Sequence, residues 1–421
     1  MIRSIYLKIL SKFASVFSTI LLIWLMSPEV FGMFVTLSSI LLVTLTATAN
    51  GLSIAVTREY ILCPTDSLSI QSIFQRIIYL SLISFCITYL FYHSFYIASF
   101  ETELIIVVAA LCVSEVFLYY TVGILRGKKK LFEAVVLETC PIIIFTIMLV
   151  FTSQYEPGIT LVFLLKLVSN ALFSSYGAFK VSQILYVKAN SAVMFSTAKV
   201  KSLLEALKLG FSMSINRCLS VTDVLVISSL LGLSSTAQYK LSVIPLAVMT
   251  IPSFLNVSML YGNLQQALSG ESIGNLKEKL RNIYVVNLIL LTLCLLGLIV
   301  YSILISKFEI SNKMHIDVSI TAIGVVGYFI WNCFGPTNAT LILLNAENFL
   351  LKLNIILVIA NVIVSYYSIF LVGIDGPIIS TMIVMIFSQL SKIFYSHKYP
   401  NYIRLTAYDI FFGHSFNRDS G

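Results

Sequence analysis

LIIVVAALCVSEVFLYYTVGIL, residues 104–125, runs into RGKKKLFEA, residues 126–134, and then into VVLETCPIIIFTIMLVF, residues 135–151. A helix rising 1.5 Å per residue needs about 20 apolar residues to cross a ~30 Å hydrocarbon core. The two flanking runs approach or exceed that length. Arg126, Lys128, Lys129 and Lys130 lie between them and are too polar to enter lipid. The segment therefore reads as two membrane-crossing helices joined by a basic turn on one side. Each run also carries a carboxylate, Glu115 in the middle of the first and Glu138 near the basic turn of the second.

The same alternation extends in both directions. Apolar runs occupy 5–26, 34–56, 77–97, 104–125, 135–151, 159–179, 209–231, 239–260, 285–305, 316–344, 351–372 and 376–394. These predict an all-α integral membrane protein with about twelve transmembrane helices. Composition agrees: 58% of residues are hydrophobic and 11% charged, against roughly 45–50% and 25% in soluble domains. The first run contains Lys8 and Lys12 in its opening turns. It looks like a signal peptide but lacks a small-x-small cleavage site, so it reads as a retained first helix. The tenth run is too long for one span and contains Gly335-Pro336, where a helix is expected to kink or start late.

Lysines and arginines fix the expected orientation. With the N-terminus cytoplasmic, 22 of the 27 fall on the cytoplasmic side, Lys392 counted among them. Lys240, Lys307 and Lys313 fall outside, while Lys166 and Arg217 lie within helices. A wrong helix count would scramble this bias, so both ends are expected in the cytoplasm. The stretch 180–208 is long, polar and basic. It divides the chain into a six-helix bundle at 1–190, a second at 191–396 and a cytoplasmic tail at 397–421. Two six-helix halves share one orientation and are related by an axis along the membrane normal, a known transporter plan.

Charges inside such helices are costly and usually face a cavity or a partner. Glu115 reads either as a titratable carboxylate in an internal cavity or as half of a packing pair. Lys166 and Asn170 are i and i+4 and share a helix face. They offer a cation and an amide suited to phosphate, unless Lys166 snorkels outward. Arg217 and Asp223 are six apart and project about 120° from each other, so each needs its own partner or water. Asp223 is a candidate coupling-ion carboxylate, or else a structural hydrogen bond between the halves. Lys12, Arg58 and Glu138 lie near cytoplasmic ends and can reach water. Pro141, Pro245, Pro252 and Pro336 interrupt helices, which suits a bending transporter but also the general tolerance of proline in membranes.

Other classes find little support. The net charge of +8 is dispersed through short loops, without the clustered footprint of a nucleic-acid binder. No two of the seven cysteines form a CxxC pair, so neither a disulfide nor a metal site is expected. No Walker loop, HExxH, GxSxG or DxD is present. An ion or substrate gradient must then supply the drive, and no cofactor is expected.

Short landmarks in order resemble a known family. Ser27-Pro28-Glu29-Val30-Phe31-Gly32 is similar to the family's S-P-E-x-F-G, and Gly51-Leu52-Ser53-Ile54-Ala55-Val56-Thr57-Arg58 to its G-L-x-x-A-x-x-R. Leu125-Arg126-Gly127-Lys128 resembles its basic turn after the fourth helix. Asp223 with Leu231-Gly232, Tyr239, and Gly373-Ile374-Asp375-Gly376 follow in sequence. Over residues 5–395 the chain resembles Wzx-type O-antigen flippases of the multidrug/oligosaccharidyl-lipid/polysaccharide (MOP) exporter superfamily. The resemblance implies a MATE-like fold in a bacterial inner membrane and an undecaprenyl-diphosphate-linked oligosaccharide as cargo, moved by alternating access. It implies Lys166, Asn170, Arg217 and Arg58 as substrate-binding residues, and Asp223 or Glu115 as the site coupled to H+ or Na+. Membrane lipids, an O-antigen polymerase and a chain-length regulator are its implied partners. The rival readings are a multidrug or toxin exporter of the same superfamily, an O-antigen polymerase or other membrane glycosyltransferase, and a structural membrane subunit. The polymerase is disfavoured by outer loops of only about ten residues.

Overall fold

Backbone amides in lipid have no water to pair with, so a spanning segment must satisfy them internally, as a helix does. A computed structural model of the chain describes residues 2–53, 56–57, 70–95, 102–128, 130–184, 211, 214–215, 217–253, 274–307, 317–344, 346–398 and 406–411. Every element among them is helical. Among the described residues seven spans, from Tyr6–Leu25 to Asn348–Ser396, are long and apolar enough to cross a membrane. The last is 49 residues long, and Gln75–Phe91 and Val318–Cys333 are shorter apolar helices. The chain divides into two compact units, Met1–Ala237 and Gln238–Gly421.

In the first unit α1 is Ile2–Leu25, α2 Pro28–Leu45, α3 Ile70–Phe95, α4 Thr102–Gly127, α5 Leu131–Phe151 and α6 Ile159–Ile184. Ser27 caps α2, accepting the Val30 amide ahead of Pro28, a start pre-organised by proline's fixed φ. At its far end α2 widens into a π turn at Thr46–Asn50. Hydroxyls tie this end to α3: Thr44 to Thr88 at 3.0 Å and Thr48 to Ser84 at 2.5 Å. The basic turn between α4 and α5 is closed by the Lys130 amide on the Leu125 carbonyl at 2.8 Å. Arg126 in the last turn of α4 opposes the carbonyl end of the helix dipole. Gly123 lets α4 approach residue 53 so closely that a Cβ there would lie 2.6 Å from the Ser53 carbonyl oxygen. Such small-residue contacts replace the hydrophobic effect as the packing device in lipid.

The seventh predicted helix, 209–231, is not continuous. Helical turns at 217–219 give way to a turn at Ser220–Val221, and α7 begins anew as Thr222–Leu230. Ser220 bonds the Arg217 carbonyl and Thr222 the Cys218 carbonyl. Asp223 accepts the adjacent Val224 amide. Short polar side chains competing for the backbone in this way favour breaks over helix interiors. The eighth predicted helix is likewise divided, into α8 Leu233–Val243 and α9 Leu246–Met249, with Pro245 at the junction.

The second unit contains α10 Gly274–Lys307, α11 Val318–Cys333, α12 Thr337–Leu343, α13 Glu347–Val372 and α14 Gly376–Ser396, then a short α15 at Ala407–Phe411. The long tenth run breaks at Gly335-Pro336 as expected: Gly335 has φ +73°, and α12 starts immediately after Pro336. Gly373, at φ +72°, makes the turn between α13 and α14, which then run antiparallel. Asn361 of α13 is the hub of their contact. It bonds Ser380 at 3.0 Å and Thr381 at 3.2 Å, with Ser365 completing the group. Lys392, counted as a cytoplasmic loop cation from sequence, is instead 5% exposed inside α14. The apolar run simply continues past it for another helical turn.

Candidate functional site

Three helices of the first unit each turn one stripe toward a common cavity. On α4 the stripe is Glu115, Leu118, Tyr119 and Val122; on α5 it is Glu138, Pro141, Ile142 and Phe145; on α6 it is Lys166, Ser169 and Asn170. Every stripe repeats at three- and four-residue spacing, the signature of one helix face. The cavity volume is about 120 Å³.

Helix direction explains which groups meet. α4 and α6 run parallel, with Asn170 against Glu115 and Gly177 against Thr121. α1 and α5 also run parallel, since Thr146 bonds the Ala14 carbonyl while Lys8 lies in the field of Glu138. α4 and α5 run antiparallel through the basic turn, which brings Arg126 back onto Glu138.

The polar chemistry of the cavity has two parts. In the first, the Asn170 amide donates to Glu115 at 2.8 Å, and Asn170 is 3% exposed. Lys166 lies one turn from Asn170 on the same face and forms no ion pair among the described residues. In the second, the Arg126 guanidinium pairs with Glu138. Between the two sits Tyr119, in the fields of Glu115, Glu138, Arg217 and Arg126.

The sequence-predicted residues therefore separate. Glu115, Lys166 and Asn170 come together in one cavity. Arg217 is exposed and does not line the cavity, though it lies within electrostatic reach of Tyr119 and Lys12. Asp223 is buried, bonded to the Val224 amide at 2.9 Å, and does not line this cavity. Arg58 lies outside the described residues. Sequence reasoning passed over Tyr119 and treated Glu138 as a residue that reaches water. The signal was present: 115, 119, 122 and 126 recur at i, i+4, i+7 and i+11 on an otherwise apolar helix.

Solved structures resemble this architecture along nearly its whole length. The lipid II flippase MurJ in an inward closed conformation superposes with a TM-score of 0.71 at 14% identity, over 94% of this chain and 88% of that one. An inward-facing multidrug resistance MATE family transporter of the MOP superfamily gives 0.60 at 16%, over 92% and 94%. The fold is that of MOP superfamily transporters. A MOP superfamily transporter from Pyrococcus furiosus, described as having a binding pocket of reversed polarity, gives 0.54 at 16%, over 94% and 92%. These neighbours are transporters and flippases, not enzymes. No protein-family model and no curated protein sequence matches the chain.

Proposed function

We propose that this MOP-fold chain is a Wzx-type flippase. Its cargo is an undecaprenyl-diphosphate-linked O-antigen repeat unit, carried from the cytoplasmic to the periplasmic leaflet of a bacterial inner membrane. The observation that supports this most is Lys166, an ammonium that lines a cavity between membrane helices and forms no ion pair among the described residues. A charge without a directly paired counter-ion there costs a few kcal/mol, and an anionic cargo offsets that cost. The diphosphate provides the anion, and the fold is shared with the lipid II flippase MurJ.

In this reading Lys166 and Asn170 hold the diphosphate, and Arg217 and Arg58 add cationic contacts elsewhere on its path. Glu115 or Asp223 takes up the coupling H+ or Na+. Alternating access carries the cargo across, with two six-helix halves, 1–190 and 191–396, and both chain ends in the cytoplasm. The polymerase and chain-length regulator act on the delivered units. Two carboxylates lining the same cavity, Glu115 and Glu138, favour a second reading, a multidrug exporter binding cations.

Deletion of the gene in its host, rescued by wild type or by Lys166→Glu, tests the choice. Loss of surface polymer with single lipid-linked units held on the cytoplasmic face, unrescued by Lys166→Glu, is expected. Intact polymer with new drug sensitivity refutes the flippase and selects the exporter.

A further inference from the structure

The ion pair of Arg126 with Glu138, at the edge of the cavity, has no part in the flippase reading so far. Glu138 lines the cavity, and its carboxylate is bound by Arg126 in the last turn of α4. The pair is not sealed: the side chains are 35% exposed for Arg126 and 17% for Glu138. Lys8 of α1 lies in the field of both. Arg126 also acts on Tyr119, one of the residues that line the cavity. A guanidinium presents a planar fork of donors that fits phosphate as well as it fits carboxylate. Glu138 therefore occupies the place that a phosphate oxygen would take.

We propose that Arg126 is a phosphate-binding residue held in reserve by Glu138, an internal stand-in for the ligand. An incoming phosphate ester displaces the carboxylate from Arg126, and on release Glu138 returns. One anion replaces another on the same guanidinium, and the carboxylate that is freed stays in the field of Lys8 on α1. It also sets specificity: a cationic solute gains nothing at Arg126, while a phosphate meets Arg126 first and Lys166 further along the cavity. By helix rise, Arg126 lies about 16 Å along α4 from Glu115, whose partner Asn170 is one turn from Lys166, so the two cations serve opposite ends of the path. This inference rests on the anionic-cargo reading and extends it to a second site.

The test is binding of undecaprenyl diphosphate to the purified full chain in nanodiscs, with thermal unfolding of every variant as a check on folding. Glu138→Gln removes the competitor and is expected to tighten binding about tenfold, the size of a lost charge-assisted contact. Arg126→Gln is expected to weaken it by a similar factor, and Arg126→Gln in the Glu138→Gln background to abolish the gain. Arg126→Lys, which keeps the ion pair but not the fork, is expected to weaken binding while the protein stays folded. Unchanged or weaker binding by folded Glu138→Gln, with Lys166→Gln still lowering affinity, overturns this inference and leaves the anionic cargo standing. Should Glu138→Gln not fold, wild-type affinity in Arg126→Lys overturns it. Absence of binding by wild type and every variant overturns the anionic-cargo reading itself. Inorganic pyrophosphate serves as the second probe: equal responses to both show that the phosphate moiety carries recognition, as expected, and a response to neither Arg126 nor Glu138 substitution with either probe refutes the site.

Discussion

Removing the Asn170 amide isolates the Glu115 contact. In Asn170→Ala the carboxylate loses a donor at 2.8 Å at a place where Asn170 is 3% exposed. Hydrogen bonds to charged groups contribute about 1.5–3 kcal/mol in proteins. Membrane double-mutant cycles average nearer 0.6 kcal/mol, because the unfolded chain in lipid finds other partners. Glu115 is only half-buried, which lowers the figure further. A loss of about 1–2 kcal/mol is therefore expected, some of it from the trimmed side chain. Glu115→Gln separates the two terms. With Glu115 already neutral, Asn170→Ala is expected to cost about 1 kcal/mol less, leaving a coupling energy of that size. Reversible unfolding of the four proteins in mixed micelles measures it. A coupling energy indistinguishable from zero, with both single variants destabilised, refutes the pairing and makes Asn170 a packing residue.

Other substitutions probe the frame around the cavity. Gly123→Leu places a side chain where even Cβ would fall 2.6 Å from the Ser53 carbonyl oxygen; the backbone cannot yield, so failure to recover folded protein by size-exclusion chromatography is expected. Asn361→Leu removes bonds to Ser380 and Thr381 at 3.0 and 3.2 Å and leaves buried hydroxyls to be satisfied elsewhere, at a cost of about 1–3 kcal/mol read from the same unfolding assay. Lys392 is buried and forms no ion pair among the described residues. Lys392→Met keeps the stem and removes the charge, so thermal unfolding is expected to shift upward by a few degrees; a downward shift would show that the ammonium is satisfied by neutral groups.

What the sequence made legible follows from which interactions are local. A membrane span is written in one stretch of chain, so α4, α5, α6, α13 and α14 lie within a turn or so of the apolar runs that predicted them. Proline and glycine act on their own backbone, and the breaks at Pro245 and at Gly335-Pro336 were readable for that reason; Pro141, read in the same way as an interruption, instead lies inside the continuous α5. The break at Ser220–Val221 was not, because neither residue forbids a helix. It takes the combined pull of Ser220, Thr222 and Asp223 on neighbouring backbone groups to end one there. The site divides in the same way. Lys166 and Asn170 share a face by spacing alone, so their joint presence in a cavity was legible. That Asn170 answers Glu115 depends on α4 and α6 packing in parallel, a fact carried by no single segment. Glu138 shows the limit most clearly. Its distance from a helix end suggested a side chain reaching for water. The short basic turn brings α5 back along α4, and that reversal sets Arg126 on Glu138 beside Tyr119. A charge near a membrane surface is therefore not excused by its depth alone: when an oppositely charged residue lies across a tight turn, the pair faces inward together, and its partners should be sought on the two helices that the turn joins.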